Sequence, residues 1–265
     1  MKKHLIIGNP ISHSLSPKIH NYWFKKNNIN GVYDKMTPTS KEIEKIIQNI
    51  KDGKIHGMNV TVPFKQDIIK YLDDLSDQAK KTNSVNTIFK KDGKTYGDNT
   101  DIFGFEMAIK QSNVSLKDKT ALIFGAGGVV PSIVVALQNL EIKKISISNR
   151  TKEKIKNIKD RFSLINEEKW GDLGNHDIYI NATSVGLKKE DDLNLDLRSL
   201  QKNKTFFDVI YNPPMTNFLK KAKDLDHKII NGETMFLYQA QKAFELWHEI
   251  VPDIDLNLIN FLKND

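Results

Sequence analysis

Short runs of consecutive apolar residues alternate along the chain with stretches in which apolar residues recur every three or four positions. Residues 5–7 (Leu5-Ile6-Ile7) predict a buried strand, and Ser16-Pro17 predicts an N-cap with proline at the first helical position, opening a helix to about Asn27. Residues 32–36 predict a second strand. Thr39 and Glu42 have capping-box spacing, and Ile43, Ile46, Ile47 and Ile50 follow on one helical face. Residues 57–62 read as a third strand and 64–72 as a third helix. Residues 83–89 and 95–97 read as a hairpin turned by Lys91-Asp92-Gly93, and Thr100-Asp101 stands at the head of the next helix.

A second series begins at Ala121. Apolar runs at 121–124, 144–148, 177–180 and 205–209 alternate with helical segments, a pattern that requires a mostly parallel sheet. Residues 234 to about 250 form a last helix, with Met235, Tyr238, Ala243, Phe244 and Trp247 at its apolar positions. The length, 265 residues, suits two α/β domains, expected to pack closely over a shared cleft.

Composition narrows the function classes. Hydrophobic residues at 39% and charged residues at 28% supply a core for each domain and exclude a disordered chain. The absence of cysteine excludes disulfides, thiolate metal sites and cysteine nucleophiles, and no metal is expected. A three-residue apolar stretch near the N-terminus is too short for a signal peptide, so a cytoplasmic protein is expected. Residues 120–140 are uncharged, but Gly125, Gly127, Gly128 and Pro131 make them a strand, turn and helix rather than a membrane span.

The balance of 40 basic against 33 acidic residues gives +7, which would favour an anionic small molecule. Nucleic acid is not expected as a partner. Only three of the basic residues are arginine (Arg150, Arg161, Arg198), and the lysines are dispersed among acids.

Candidate chemistry lies at strand ends. Gly125-Ala126-Gly127-Gly128 follows an apolar strand: Gly125 permits a tight turn, and Gly127 lets the backbone approach a pyrophosphate at the helix N-terminus. Val130 stands where the strict pattern has a third glycine. At the end of the next strand, Asn149-Arg150-Thr151 puts arginine where enzymes that use NAD tend to carry an acid, a choice that suits the 2′-phosphate of NADP. In the first domain, Ser14 and Ser16 point the same way if their loop is extended, and Asn59 and Thr61 share a strand face with Lys65 just beyond. Asn83, Asn86, Asn99, Thr100 and Asp101 add small polar groups at strand ends, where α/β sheets bind ligands. His13 reads as a plain loop residue.

Together these motifs resemble the shikimate dehydrogenase family: Ser14-x-Ser16-Pro17, Asn59-x-Thr61-x-Pro63-x-Lys65, Asn83-x-x-Asn86-Thr87, Asn99-Thr100-Asp101-x-x-Gly104, the glycine turn and Asn149-Arg150-Thr151. The resemblance continues in order through Asn181-Ala182-Thr183-Ser184-x-Gly186, Asp208-x-x-Tyr211-Asn212-Pro213-x-x-Thr216 and Gly232-x-x-Met235-x-x-x-Gln239-Ala240. Val130 and Pro131 depart from it, standing where many members have a small residue and an arginine.

The resemblance implies a two-domain α/β fold. A substrate domain is formed by 1–101 with 234–265, and a Rossmann-like NADP-binding domain by 102–233. It also implies NADP-dependent, reversible reduction of 3-dehydroshikimate to shikimate by a monomer or homodimer. It assigns catalysis to Lys65 and Asp101, the substrate carboxylate to Ser14 and Ser16, and other substrate contacts to Asn59, Thr61, Lys65, Asn86, Asp101, Tyr211 and Gln239. NADP(H) falls to Gly125, Ala126, Gly127, Gly128, Asn149, Arg150, Thr151, Lys154, Thr183 and Gly232. Lys65 is then either the acid or an electrostatic stabiliser of the alkoxide. A relative specialised for quinate or NAD would be favoured by an acid near position 150, and a binding-only module by loss of Lys65 or Asp101.

Overall fold

The strands assemble into two separate six-stranded sheets. The structure is a computed structural model describing residues 1–263, and it divides into two units: Met1–Ile102 with the stretch from Leu237 onward, and Phe103–Phe236.

The first unit runs β1 (Lys2–Ile7), α1 (Ser16–Lys26), β2 (Gly31–Met36), α2 (Ser40–Lys51), β3 (Gly57–Val60), β4 (Asp74–Leu75), α3 (Asp77–Thr82), β5 (Thr87–Lys91) and β6 (Lys94–Asp98). Its sheet is mixed, in the order β2-β1-β3-β5-β6-β4. Alternation along β1 assigns the two faces. Leu5 and Ile7 join the isoleucines of α2 in one core, whereas His4 touches Phe24 and Trp247 on the other side. The capping box of α2 forms as its spacing predicts, with Thr39 N donating to Glu42 Oε2 at 2.7 Å. The hairpin turns on Asp92 and Gly93, both with positive φ (51° and 80°), which suits a two-residue loop.

Three local expectations are corrected. Ser16 is the first residue of α1 rather than its cap: Leu15 is the N-cap, and its carbonyl accepts from Ile19 N. The third strand stops at Val60, and although Thr61 N still reaches the Ile7 carbonyl, Pro63 has no N–H with which to continue. Residues 64–72 form turns and a 3₁₀ helix at Asp67–Tyr71 instead of an α-helix. There the Lys65 carbonyl, which an α-helix would pair four residues on, accepts from Val85 N at 2.9 Å.

The chain enters the second unit within α4 (Asp101–Gln111) and continues through β7 (Thr120–Phe124), α5 (Val130–Asn139), β8 (Lys144–Ser148), α6 (Lys152–Lys159), β9 (Ile165–Glu168), β10 (Ile178–Asn181), β11 (Thr205–Asp208), α7 (Asn217–Asp224) and β12 (Lys228–Ile230). The sheet order β12-β11-β10-β7-β8-β9 is parallel throughout, as the βα alternation demands. Leu122, Phe124, Tyr179 and Phe206 pack with Phe218, Leu219 and Ala222 of α7 in one core. On α5, Val130 to Leu137 are all buried, and Pro131 fits in its first turn, where a missing N–H costs no intrahelical bond. The chain re-enters the first unit within α8 (Glu233–His248), and the last described element is α9 (Leu256–Lys263).

Candidate active site

In the first unit, Lys65 follows the turn after β3 and Asp101 opens α4. Both are buried, at 8% and 7% exposure, and Lys65 Nζ donates to Asp101 Oδ2 at 2.5 Å. The second carboxylate oxygen, Oδ1, accepts from Asn86 Nδ2 at 2.9 Å. Asn86 also donates to Thr100 Oγ1 and accepts at Oδ1 from Thr100 N at 2.8 Å and Thr87 Oγ1 at 3.0 Å. The carboxylate is therefore oriented by an amide that is itself fixed on every side. A buried ion pair of this kind is costly to assemble and more costly to break, so its retention points to a use for the charge.

Asn59 joins the same network. Its Nδ2 donates to the Asn86 carbonyl and to Thr87 Oγ1, both at 3.0 Å, and its Oδ1 accepts from Tyr33 Oη at 2.7 Å. Thr61 lies just past β3, half-buried, and its Cγ2 stands 2.3 Å from where a Cβ on Gly8 would be, so only glycine lets the loop after β1 approach so closely. Asn9 N donates to the Val62 carbonyl and ties that loop to the same segment. Further along it, Ser14 and Ser16 are held in a turn rather than extended: Ser14 N donates to the Ile11 carbonyl, and Ser14 Oγ accepts from Ser16 N at 3.2 Å. Gln239 is half-buried on α8, and His13 is exposed.

The second unit places its polar groups at the carboxyl ends of β7, β8, β10 and β11. Gly125 has φ +108°, and a Cβ there would meet the Ala182 carbonyl and Thr183 at 3.0 Å, so the turn admits only glycine. Gly127 faces open space, whereas a Cβ on Gly232 would lie 2.2 Å from the Val209 carbonyl. Thr183 is fixed by Asn181, whose Oδ1 accepts from Thr183 Oγ1 at 2.7 Å; Asn181 Nδ2 donates to both oxygens of Asp208 at 3.1 Å. Asp208 is fully buried, and desolvation pushes its carboxyl up to about 6 although Thr216, Ile210 and Asn181 all donate to it. Tyr211 stacks on Phe236 with ring centroids 4.5 Å apart.

Asn149 donates from Nδ2 to the Thr151 carbonyl, and Thr151 is the N-cap of α6, its side chain making no capping bond. Lys154 is exposed on α6. Arg150 is exposed, and among the described residues no carboxylate pairs with it, whereas Arg198 is spent on Asp196 through two 2.8 Å bonds. A guanidinium with no carboxylate partner, beside an open glycine turn at a helix start, fits a phosphorylated dinucleotide.

The parallel sheet with its glycine turn, and a buried lysine–carboxylate pair in a second α/β unit, define a dinucleotide-dependent oxidoreductase. The family model described as shikimate dehydrogenase substrate binding domain matches residues 6–88, and that described as shikimate / quinate 5-dehydrogenase matches 106–211. A shikimate dehydrogenase (NADP(+)) of Pelagibacter ubique is 54% identical over 261 residues, covering 98% of each chain. Among solved structures, shikimate dehydrogenase from Aquifex aeolicus superposes with a TM-score of 0.89 at 33% identity, covering 100% of this chain and 98% of that one. A shikimate dehydrogenase in complex with NADP+ gives 0.90 at 34%, covering 99% and 95%. The chain belongs to the shikimate dehydrogenase family. Among the described residues, no helix is long and apolar enough to cross a membrane.

Sequence reasoning passed over Trp170, whose ring lies 5.1 Å from the Arg150 guanidinium carbon, and a cluster of three histidines with covered ring nitrogens, the buried His4 and His20 and the half-buried His248. Neither left a sequence signal: Trp170 reaches Arg150 only through the pairing of β8 with β9, a strand that its own pattern does not mark, and the histidines lie far apart in sequence.

Proposed function

We propose that this protein catalyses the reversible, NADP-dependent reduction of 3-dehydroshikimate to shikimate, with the first unit taking the substrate and the second the dinucleotide. The observation that carries the proposal is the buried Lys65–Asp101 pair, braced by Asn86, in a chain of this family. NADPH, when bound, supplies a hydride to the ketone carbon. The Lys65 ammonium meets the negative charge that develops on the substrate oxygen, and the proton that completes the alcohol comes from Lys65 or from water it orders. Asp101 holds the ammonium in place. Ser14 and Ser16 receive the substrate carboxylate, Thr61, Tyr211 and Gln239 supply neutral hydrogen-bonding groups for a polyhydroxylated ring, and Asn59 and Asn86 reach it by exchanging one of their internal bonds.

For the dinucleotide, residues 125–128 and Gly232 admit the backbone's close approach, Thr183 lines the same strand ends, and Asn149, Arg150, Thr151 and Lys154 face the 2′-phosphate. The reading extends to a cytoplasmic enzyme acting as a monomer or homodimer.

Following reduced nicotinamide with shikimate or quinate, each paired with NADP⁺ or NAD⁺, tests the reading. Shikimate with NADP⁺ should give the highest kcat/KM by an order of magnitude or more, because a pocket fitted to shikimate leaves the extra quinate hydroxyl crowded or unpaired. Equal rates with quinate would refute the substrate, and equal rates with NAD⁺ the cofactor. Arg150→Ala should raise the KM for NADP⁺ by about 10- to 100-fold, the worth of one charge-assisted contact, and hardly affect NAD⁺.

A further inference from the structure

Arg150 and Trp170 are brought together by strand register. β8 and β9 pair in parallel and end with Ser148 opposite Glu168, so Arg150 and Trp170 each stand two residues past the end of a strand. The two loops are also tied: Ser148 Oγ donates to the Lys169 carbonyl at 3.2 Å. The guanidinium carbon of Arg150 lies 5.1 Å from the centre of the Trp170 ring, within the range of a cation–π contact, and tryptophan is the strongest aromatic partner for one. The ring itself does not swing freely. It is half-buried against the core of the second unit, and Phe124, fully buried at the end of β7, meets it at a centroid distance of 6.1 Å and an interplanar angle of 77°.

We propose that Trp170 is a positioning residue for Arg150 and, through it, a determinant of the preference for a dinucleotide that carries a 2′-phosphate. The inference rests on the assignment of Arg150 to that phosphate. A guanidinium that meets a ring through its face keeps its in-plane N–H groups, the fork that matches phosphate oxygens, free for an anion. An exposed arginine otherwise samples many rotamers, and the ring removes most of them before the anion arrives, which lowers the ordering cost of binding. Trp170 touches no phosphate in this scheme. It acts only by holding the residue that does.

The test uses two probes that differ by one phosphate, adenosine 2′,5′-bisphosphate and 5′-AMP, titrated calorimetrically into the parent, Trp170→Leu, Trp170→Phe, Arg150→Ala and the Trp170→Leu/Arg150→Ala double variant. Trp170→Leu should weaken the bisphosphate by about two- to five-fold, the range of an exposed cation–π contact, and leave 5′-AMP within error of the parent. Trp170→Phe should retain part of the affinity, and the double variant should bind no worse than Arg150→Ala. Equal losses for the two probes in Trp170→Leu would mean a merely structural tryptophan and overturn the proposal, as would a further loss on top of Arg150→Ala. If Arg150→Ala abolishes the preference and Trp170→Leu preserves it, the tryptophan's role fails alone. If Arg150→Ala keeps the preference, the phosphate assignment fails and the proposal falls with it.

Discussion

Asn86 spends both of its N–H groups and its carbonyl inside the protein, on Thr100, Asp101 and Thr87. Its main contribution is therefore to aim Asp101, which aims Lys65. That Asn59 lies near the end of a strand with Thr61 and Lys65 just beyond was legible from alternation and spacing, although β3 stops one residue short of Thr61; the saturation of Asn59 and Asn86 was not, since it depends on partners 14 to 28 residues away. Lys65→Met should lower turnover by about two to four orders of magnitude, the usual span for a general acid or oxyanion donor, while shikimate still binds. The same change leaves the Asp101 carboxylate buried without its cation, a loss of about 3 kcal/mol of stability. Adding Asp101→Asn should restore most of the melting temperature and none of the turnover. Activity recovering in step with stability would make the pair a structural device and remove Lys65 from the chemistry.

Elements with a strong period and a local stop signal were legible: α2 with its capping box, the Asp92-Gly93 hairpin, and the apolar strands of the parallel sheet. Short polar edge strands such as β9 and the two-residue β4 were not, because pairing with a neighbour, rather than their own pattern, makes them strands. The contact of β1, α1 and α8 was equally hidden. His4, His20 and His248 meet there among Phe24, Tyr33, Phe244 and Trp247, with His56 and Lys2 the nearby titratable groups, and none of the three has a hydrogen-bond partner for either ring nitrogen among the described residues. Burial, reinforced by neighbouring histidines, lowers His4 to about 2 and His20 to about 3; His248 falls to about 4. Folded values below the unfolded 6.5 mean that the unfolded chain takes up more protons as pH falls, so stability is full above 6.5 and declines from there toward the folded values. At pH 5 each fully buried ring costs at most about 2 kcal/mol, and His4 and His20 together about 4, against a total stability of roughly 5–15. Melting temperature should therefore drop steeply between pH 7 and pH 5. His20→Phe, which removes a titrating ring that has no hydrogen bonds to lose, should shrink that drop; a variant whose melting curve shifts with pH in parallel with the parent would show that His20 takes up its proton as readily in the folded chain as in the unfolded one.

At the scale of the whole molecule, one unit is continuous in sequence and the other is not. The six strands of the second unit and its core around Phe124 and Phe206 all lie between Phe103 and Phe236. The first unit draws α8 and α9 from the far end of the chain. Phe244 is fully buried against Trp23 and Phe24, Trp247 fills the space that a side chain on Gly57 would need, and Trp247 Nε1 donates to the Ile88 carbonyl at 3.1 Å. On α1, Trp23 Nε1 donates to the Asp253 carbonyl at 3.0 Å, and Lys26 pairs with Asp253 and Asp255. Removing everything beyond Ile102 would uncover Trp23 and Phe24. At about 200 Å² per ring and about 25 cal/mol per Å² this forfeits roughly 10 kcal/mol, comparable to the entire stability of a domain. A fragment of residues 103–236 should therefore melt cooperatively by circular dichroism, and a fragment of residues 1–102 should show no transition. Joining 237–265 to 1–102 through a flexible linker should restore a cooperative melt, since it returns the aromatic cover of α1 without the second unit. Cooperative unfolding of 1–102 alone would mean that β1, α1 and α2 suffice as a core and that the C-terminal helices only decorate it.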